Sequence, residues 1–217
     1  MNILDFLFPK RCLGCGRIGK YFCNKCRETI RVVENNEAIC PMCERPAIDG
    51  VTHPRCQTRY AIDGLTSAFH YDGIIRKAVK AIKYHHIFDI SRELVSFMPA
   101  TILQASVMIP IPLFPSRQKE RGYNQAEIVG RLLSESLHIP LRTDILKRIK
   151  KTIPQVEIKK RDARLKNMEG VFATCRMSPK RVILFDDVFT TGATMRSAAN
   201  VLKRNGAKWV WAMTIAR

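Results

Sequence analysis

Seven cysteines and one histidine in the first quarter of the chain have the spacing of metal ligands. They form four pairs whose members are separated by two residues: Cys12/Cys15, Cys23/Cys26, Cys40/Cys43 and His53/Cys56. A two-residue gap lets both side chains of a pair turn toward one ion, and Zn²⁺ takes four such ligands in a tetrahedron. The spacing therefore predicts two structural zinc sites, and both pairing in sequence order and a cross-braced arrangement fit it.

A disulfide framework is the alternative interpretation of these cysteines. The opening MNILDFLFPKRC does not have the pattern of a secretory signal, and paired two-residue spacing in such a chain favours metal. This segment of about 60 residues also has too few large apolar groups to fold by itself, and bound metal can supply the missing stability. Four protein ligands at each site leave no coordination position open, so the expected role is structural.

The stretch VILFDDVFTTGAT, residues 182–194, is the second group suited to chemistry. Residues 181–185 predict a buried strand, and Asp186 and Asp187 follow directly. The next residues predict a turn into a helix, where backbone N–H groups and the positive helix end favour a phosphate. The expected phosphate ligands are Thr190, Thr191, Gly192, Ala193 and Thr194.

The two acids suit a ligand that carries hydroxyl groups, because an ionised carboxylate accepts hydrogen bonds but cannot donate them. A phosphate beside a vicinal diol describes a ribose 5-phosphate unit. The same acids could hold Mg²⁺, directly or through water. The turn lacks the lysine of the GxxxxGK[ST] loop and is therefore a different phosphate motif. An ordinary strand–helix turn with incidental acids is the alternative.

The hydrophobic periodicity after residue 60 predicts the scaffold that positions these groups. Strands are expected at 64–71, 106–112, 141–146, 181–185 and 208–216, and helices at 74–84, from Asn124 onward and at 193–204. This alternation predicts an α/β fold with a mostly parallel sheet and flanking helices. We therefore expect a zinc-binding domain at 1–60 and an α/β domain at 61–217.

The chain is strongly basic, with 37 Lys+Arg against 19 Asp+Glu and a formal net charge of +18. Such an excess predicts attraction to polyanions such as nucleic acid, phosphorylated metabolites or acidic membrane surfaces. Residues 147–166 carry nine basic residues against two acidic ones and predict a long mobile loop. No apolar run approaches the about 20 residues that span a bilayer, so a cytoplasmic protein is expected.

The stretch VILFDDVFTTGAT resembles the phosphoribosyl pyrophosphate (PRPP) signature of the type I phosphoribosyltransferases. The order of motifs along the whole chain is similar to that of the ComF family of competence proteins (ComFC-like). These motifs are CLGCG, FCNKC, CPMC, IPIPLFPSRQKERGYNQ, TIPQ, KRDARLKNMEGVF and the terminal TIAR. The resemblance implies a type I phosphoribosyltransferase-like domain preceded by a double zinc ribbon-like domain.

The resemblance also implies roles for residues of the α/β domain. Asp186 and Asp187 would hold the ribose hydroxyls, and residues 190–194 would hold the 5-phosphate. Mg²⁺ would accompany PRPP. The loop at 112–123 would take the pyrophosphate through Arg117, Lys119 and Arg121. The basic stretch 147–166 would be the flap that closes over PRPP.

Members of the ComF family are associated with natural transformation. The resemblance therefore implies single-stranded DNA, PRPP and the cytoplasmic side of the DNA-uptake machinery as partners. A competing hypothesis is an active phosphoribosyltransferase that uses an unidentified acceptor. The sequence indicates no acceptor site, so enzymatic activity stays open. A purely structural zinc-ribbon adaptor is the third hypothesis, and it leaves the strand–turn motif unexplained.

Overall fold

The computed structural model describes residues 9–84, 87–99, 105–152, 167–174 and 179–217. The strands are β1 (Gly64–Phe69), β2 (Val107–Pro110), β3 (Leu146–Arg148), β4 (Phe172–Thr174), β5 (Arg181–Val188) and β6 (Trp209–Ala216). The α-helices are α1 (Asn24–Arg27), α2 (Gly73–Tyr84), α3 (Ile87–Val95), α4 (Pro115–Arg121), α5 (Gln125–Ser136) and α6 (Ala193–Arg204). Short 3-10 helices lie at Asn35–Glu37, Ile48–Gly50 and Pro54–Cys56.

Four strands form one parallel sheet in the order β1–β6–β5–β2. Strand β5 lies inside the sheet, where Phe185 is opposite Met213 of β6 and Pro110 of β2. Because the strands are parallel, their carboxyl ends share one edge, and ligands of open α/β sheets bind at that edge. The predicted α/β fold with a mostly parallel sheet is confirmed.

Each face of the sheet carries its own hydrophobic core. On one face, Ile183 and Phe185 belong to a cluster that includes residues of α2, α3 and α5. On the other face, Val182 and Leu184 belong to a cluster with Ala198 of α6 and with the antiparallel β3–β4 pair. Successive residues of β5 enter the two cores alternately, because side chains of a pleated strand point to opposite faces. A strand that is covered on both faces is apolar at every position, which explains the run VILF.

The cysteine-rich segment is joined to the sheet through the edge strand β1. The amide of Val33 donates to the carbonyl of Ala68 at 3.0 Å, next to the end of β1. The amide of Thr52 donates to the carbonyl of Asp63 at 2.8 Å, just before β1 begins. The segment therefore satisfies backbone groups at an edge that would otherwise be open.

Two segments near the predicted site differ from expectation. Strand β5 continues to Val188, because Asp186 stays in register with Thr214 of β6. Part of the predicted loop 112–123 forms the helix α4, which starts with Pro115 and ends at Gly122 with φ +82°. Proline at the first helical position and glycine after the last one are favoured helix signals. Residues 153–166, most of the predicted flap, lie outside the described residues.

The prediction of a strand at 141–146 is wrong. Strand β3 begins only at Leu146, and Leu141 forms an isolated bridge to Met108 of β2. The apolar residues of this stretch pack without forming a continuous ladder.

Among the helices in the described ranges, none is both long and apolar enough to cross a membrane.

Candidate functional site

The cysteine-rich segment contains two clusters of four possible metal-ligand atoms. Within each cluster these atoms all lie within 4.8 Å of one another. One cluster is Cys12, Cys15, Cys23 and Cys26, and the other is Cys40, Cys43, His53 and Cys56. The Sγ atoms of Cys15 and Cys23 are 3.8 Å apart, which suits a tetrahedron with Zn–S bonds of about 2.3 Å. The structure therefore groups the pairs in sequence order and not cross-braced.

Local backbone structure positions the sulfur atoms of the first cluster. Cys23 is the N-cap of α1 and Cys26 lies in that helix, so one helical turn brings both sulfurs to the same side. In the opposing CLGC turn, a Cβ on Gly14 would lie 2.6 Å from Cys26 Sγ. A side chain at position 14 would therefore occupy the place of a ligand atom.

The ring orientation of His53 is set by a hydrogen bond outside the second cluster. Its Nε2 lies 2.9 Å from the carbonyl oxygen of Pro46 and donates to it. Its Nδ1 lies 3.3 Å from Cys43 Sγ. A carbonyl partner on one ring nitrogen fixes the tautomer and leaves the other nitrogen as the metal ligand. His53 therefore offers Nδ1 to the zinc.

The thiols of the first cluster do not all ionise near neutral pH by themselves. Burial opposes ionisation of Cys12, but hydrogen bonds from nearby backbone amides lower the pKa of this thiol to about 6. The hydrogen bond with Cys23, then burial and the neighbouring charge, raise the pKa of Cys26 to about 12. A divalent cation removes this conflict, because it stabilises every thiolate at once. The donor set therefore fits Zn²⁺.

The β5–α6 turn, residues 189–192, follows the strand that carries the two acids. The amide of Phe189 donates to the carbonyl of Ala216 at 2.9 Å, which ties the turn to the end of β6. Gly192 is the N-cap of α6 with φ +69°, and a Cβ there would lie 2.6 Å from the ring of Phe189. Glycine has no side chain with which to cap the first N–H groups of α6.

The Thr191 hydroxyl is the main polar feature of this turn. Its Oγ1 is buried and makes no hydrogen bond within the described part of the chain. Buried polar atoms nearly always have a partner, so this hydroxyl fits an oxygen atom of a ligand. Thr190 is exposed and Thr194 is half-buried. Ala193 is buried and can offer a ligand only its backbone N–H.

Asp186 and Asp187 lie near the end of β5, and adjacent strand residues point to opposite faces of a sheet. Asp187 is 8% exposed, and its Oδ1 accepts from the amide of Val188 at 2.9 Å. Asp186 is half-buried, and its Oδ1 accepts from the amide of Asp187 at 2.9 Å. The structure thus places one carboxylate on each side of the strand. The assignment of both acids to one diol stays a prediction.

Arg148, at the end of β3, is a candidate site residue that the sequence analysis did not single out. Its guanidinium lies 5.8 Å from the ring centroid of Phe172 and donates to the hydroxyl of Thr152. Its Nε is buried and makes no hydrogen bond to any described residue. Burial and then the positive charge of Arg117 lower the pKa of Arg148, whereas Asp186 raises it. Arg148 therefore interacts electrostatically with one further arginine and one acid.

The three residues predicted for pyrophosphate have different surroundings. Arg117 on α4 is half-buried and interacts electrostatically with Arg148. Arg121 donates to the side chain of Gln125 at 2.6 Å, and Lys119 is exposed. Arg148 belongs to the basic run at 147–166, which was singled out only as a whole. It lies on the short strand β3, and it is half-buried whereas Lys147 on the same strand is exposed.

Comparison with known proteins identifies a domain family for the first part of the chain and relatives that cover most of its length. Residues 3–57 match the family described as "Double zinc ribbon domain". Competence protein F of Haemophilus influenzae is 32% identical over 160 residues, which are 68% of this chain and 70% of that protein. Competence protein ComFC of Bacillus subtilis is 29% identical over 198 residues, 85% of this chain and 78% of that protein. DNA utilization protein YhgH of Escherichia coli K12 is 25% identical over 208 residues, 88% and 89% of the two chains.

Among solved structures, a purine phosphoribosyltransferase from Pyrococcus horikoshii covers 64% of this chain and 71% of its own length. Its TM-score is 0.27 and its identity is 19%. A similarity this weak does not support a fold assignment. The fold class is therefore assigned from the topology of the sheet and from the two cysteine-rich clusters.

The molecule is a protein in which a double zinc ribbon, with two ligand clusters that fit zinc, precedes an α/β unit built on a parallel sheet. The chain belongs to the ComF family of competence proteins. The predicted family, the double zinc ribbon and two cysteine-rich groups that fit zinc are confirmed. The domain division at residue 60 and the PRPP-binding residues stay predictions.

Proposed function

We propose that the protein serves DNA uptake in natural transformation, by handling single-stranded DNA in the cytoplasm, and that it binds PRPP at the carboxyl edge of its sheet. Two of its relatives are named competence proteins, and another is named a DNA utilization protein. Single-stranded DNA and PRPP are both phosphate-bearing ligands. Both suit a chain with a net charge of +18.

The observation that carries the PRPP proposal is the electrostatic interaction of Arg148 with both Arg117 and Asp186, the acid near the end of β5. Neighbouring arginines repel each other, and a bound anion removes that repulsion. The Arg148 Nε and the Thr191 Oγ1 are buried polar atoms without a hydrogen bond in the described ranges. Each can contact a ligand oxygen, because both are hydrogen-bond donors.

In the proposed complex, the β5–α6 turn and residues 193–194 hold the 5-phosphate through backbone N–H groups and threonine hydroxyls. Asp186 and Asp187 accept from the ribose hydroxyls. Arg117 and Arg148 take the pyrophosphate, for which the planar guanidinium is well suited. Mg²⁺ would be held by the acids together with PRPP, where it neutralises pyrophosphate charge.

Calorimetry with PRPP and Mg²⁺ tests this site. We compare the wild type with a double variant, Asp186→Ala and Asp187→Ala, and expect PRPP binding to be lost. The variant Glu135→Gln removes an exposed carboxylate from α5 and serves as the control. Equal PRPP affinity in the wild type and the double variant, or no binding by the wild type, would rule out the site.

The single-stranded DNA part is supported by the excess of basic residues and by the family. Binding governed by phosphate contacts weakens with salt, with a slope of about 0.7 per phosphate contact on single strands. Anisotropy of a labelled oligonucleotide across a salt series measures this slope. A flat salt response, or no binding at low salt, would exclude single-stranded DNA as a partner.

Phosphoribosyl transfer is the second candidate function, and the Arg117–Arg148 pair favours it. In such a transfer the C1–oxygen bond of PRPP breaks, and its electron pair leaves with pyrophosphate. A lone pair of the unidentified acceptor then bonds to C1. Positive groups beside the pyrophosphate stabilise the departing charge, and positioning of the nucleophile supplies the rest. Release of pyrophosphate from PRPP, with candidate acceptors added in turn, tests this function.

A further inference from the structure

Stacked aromatic rings and arginines lie at the amino-terminal edge of the sheet, away from the β5–α6 turn. Trp209 and Trp211 of β6 are two residues apart, so their side chains share one face. Their ring centroids are 5.5 Å apart with an interplanar angle of 21°. The guanidinium of Arg181, the first residue of β5, lies 4.4 Å from the Trp209 ring centroid. These contacts bring one guanidinium and two indole rings together at the start of two neighbouring strands.

A second stack of the same kind lies near the start of β1. The guanidinium of Arg204, the last residue of α6, is 4.5 Å from the ring centroid of Tyr60. Arg59 also lies over this ring, at 5.4 Å. Both arginines are exposed, and Tyr60 is half-buried. An arginine stacked on a ring keeps its planar face and its N–H groups in a fixed orientation.

The charge at this edge is positive. Lys180 and Lys208 are exposed there, and the amide of Lys208 donates to the carbonyl of Lys180 at 2.8 Å. The nearby carboxylate of Asp63 is already engaged, because it accepts from Lys203 Nζ at 2.7 Å and from the amide of Val210 at 2.6 Å. Five exposed cations therefore accompany the aromatic rings: Arg59, Lys180, Arg181, Arg204 and Lys208.

We infer that single-stranded DNA binds across this amino-edge surface, defined by Arg59, Tyr60, Arg181, Arg204 and Trp209. Trp211 is only 7% exposed and supports the surface by packing against the Trp209 ring. Bases can stack on the outer faces of the guanidinium groups or take their place on the rings, while the lysines contact phosphates. A duplex has its base faces buried, so the rings favour a single strand. This inference rests on the proposed handling of single-stranded DNA and assigns it a surface.

The surface and the proposed PRPP site lie at opposite ends of β5. The strand has eight residues, which corresponds to a separation of about 25 Å. The two ligands therefore do not compete for the same residues. We expect the protein to bind PRPP and a DNA strand at the same time.

Trp209 and Trp211 are the only two tryptophans of the chain, so tryptophan emission reports directly on this surface. We titrate the full-length zinc-loaded protein with a fluorescein-labelled (dT)15 strand to measure affinity by anisotropy. An unlabelled (dT)15 strand is used in parallel to record tryptophan emission. We expect quenching of tryptophan emission that follows the same binding curve. The duplex (dT)15·(dA)15 is expected to give much less quenching at equal occupancy.

The variant Arg181→Ala/Arg204→Ala removes one stacked guanidinium from each stack. We expect its affinity for (dT)15 to fall about tenfold, because each arginine supports base stacking. The variant Lys77→Ala/Lys80→Ala removes two exposed charges from α2 and is the matched control. Its affinity should stay within about twofold of the wild type.

The outcomes distinguish an incorrect assignment of the DNA-binding surface from an incorrect proposed function. If (dT)15 binds the wild type without tryptophan quenching, or if both double variants lose affinity equally, the surface is wrong and DNA handling stands. If (dT)15 does not bind the wild type at low salt, the DNA part of the proposed function fails and the surface fails with it. Quenching of equal size by the duplex would overturn the preference for a single strand.

Discussion

Arg196 and Met42 connect the second zinc cluster to the start of α6. The Nη2 of Arg196 donates to the carbonyl of Met42 at 2.7 Å, and its Nε donates to the carbonyl of Pro41 at 3.0 Å. Both carbonyls lie between Cys40 and Cys43, two candidate zinc ligands of that cluster. The amide of Arg196 in turn donates to the carbonyl of Gly192 at 2.8 Å. The β5–α6 turn is therefore held from the zinc side as well as from the sheet.

This contact predicts that Arg196→Met weakens both the fold and anion binding. The substitution removes two hydrogen bonds from a charged group whose side chain is 14% exposed, at a cost of about 2–3 kcal/mol in unfolding free energy. We expect PRPP affinity to fall while two zinc ions per chain are retained. Arg196→Lys keeps the charge without the planar fork and should recover little. Denaturant unfolding, calorimetry and zinc analysis check these points. Full PRPP affinity in Arg196→Met would contradict the coupling.

Loss of one ligand in the second cluster should remove one of the two metal ions. In His53→Ala the three remaining cysteines lack the fourth ligand that a structural zinc site needs. We expect zinc content to fall from two to one per chain and the unfolding free energy to fall by about 4 kcal/mol or more. Arg55→Ala, an exposed neighbour that is not a ligand, is the control. Two zinc ions retained in His53→Ala would show that this cluster is not the metal site.

The parts of this structure that could be predicted from the sequence are local in the chain. The two-residue gaps of the zinc ligands identify each pair, and an unbroken apolar run identifies a strand that is buried on both faces. Helix α4 could not be predicted, because the stretch PSRQKER has no apolar period for a pattern to detect. The strand predicted at 141–146 failed for the opposite reason, since its apolar residues pack without strand pairing.

The candidate site was harder to predict because it joins distant segments. Arg196 and Met42 are 154 residues apart, and no local pattern relates a helix start to a zinc ligand turn. Arg117, Arg148 and Asp186 come from three different elements and interact electrostatically only through the topology of the fold. In the sequence, Arg148 is one basic residue among nine in the stretch 147–166. Among the basic residues of 147–152, the described part of that stretch, Arg148 is the one that is not exposed, and burial depends on tertiary packing.

The variant Thr191→Val separates ligand binding from stability. Valine has nearly the same shape as threonine, and the Thr191 Oγ1 makes no hydrogen bond within the described ranges. We therefore expect unchanged or slightly higher unfolding free energy, but about tenfold weaker PRPP binding, because the hydroxyl donates to the phosphate. Calorimetry and denaturant unfolding measure the two effects.

Thr52→Val is the matched control for this substitution. The Thr52 hydroxyl is buried and donates to the carbonyl of Ile62 at 2.6 Å. Its loss should lower the unfolding free energy by about 1–2 kcal/mol and leave PRPP affinity unchanged. A Thr191→Val variant that behaves like Thr52→Val would assign the Thr191 hydroxyl to the fold and not to a ligand.

Arg148→Met should weaken PRPP binding without destabilising the protein. Methionine keeps much of the apolar stem that packs near Phe172 and removes both a buried Nε without a described hydrogen bond and the repulsion from Arg117. We expect PRPP affinity to fall about tenfold or more. The unfolding free energy should stay about unchanged, because the lost hydrogen bond to Thr152 is offset by relief of burial and repulsion. Arg142→Met, which removes an exposed ion pair with Asp144 at 2.7 Å, should leave PRPP affinity unchanged. If Arg148→Met unfolds more easily and still binds PRPP as the wild type does, then Arg148 supports the β3–β4 pair and does not contact the ligand.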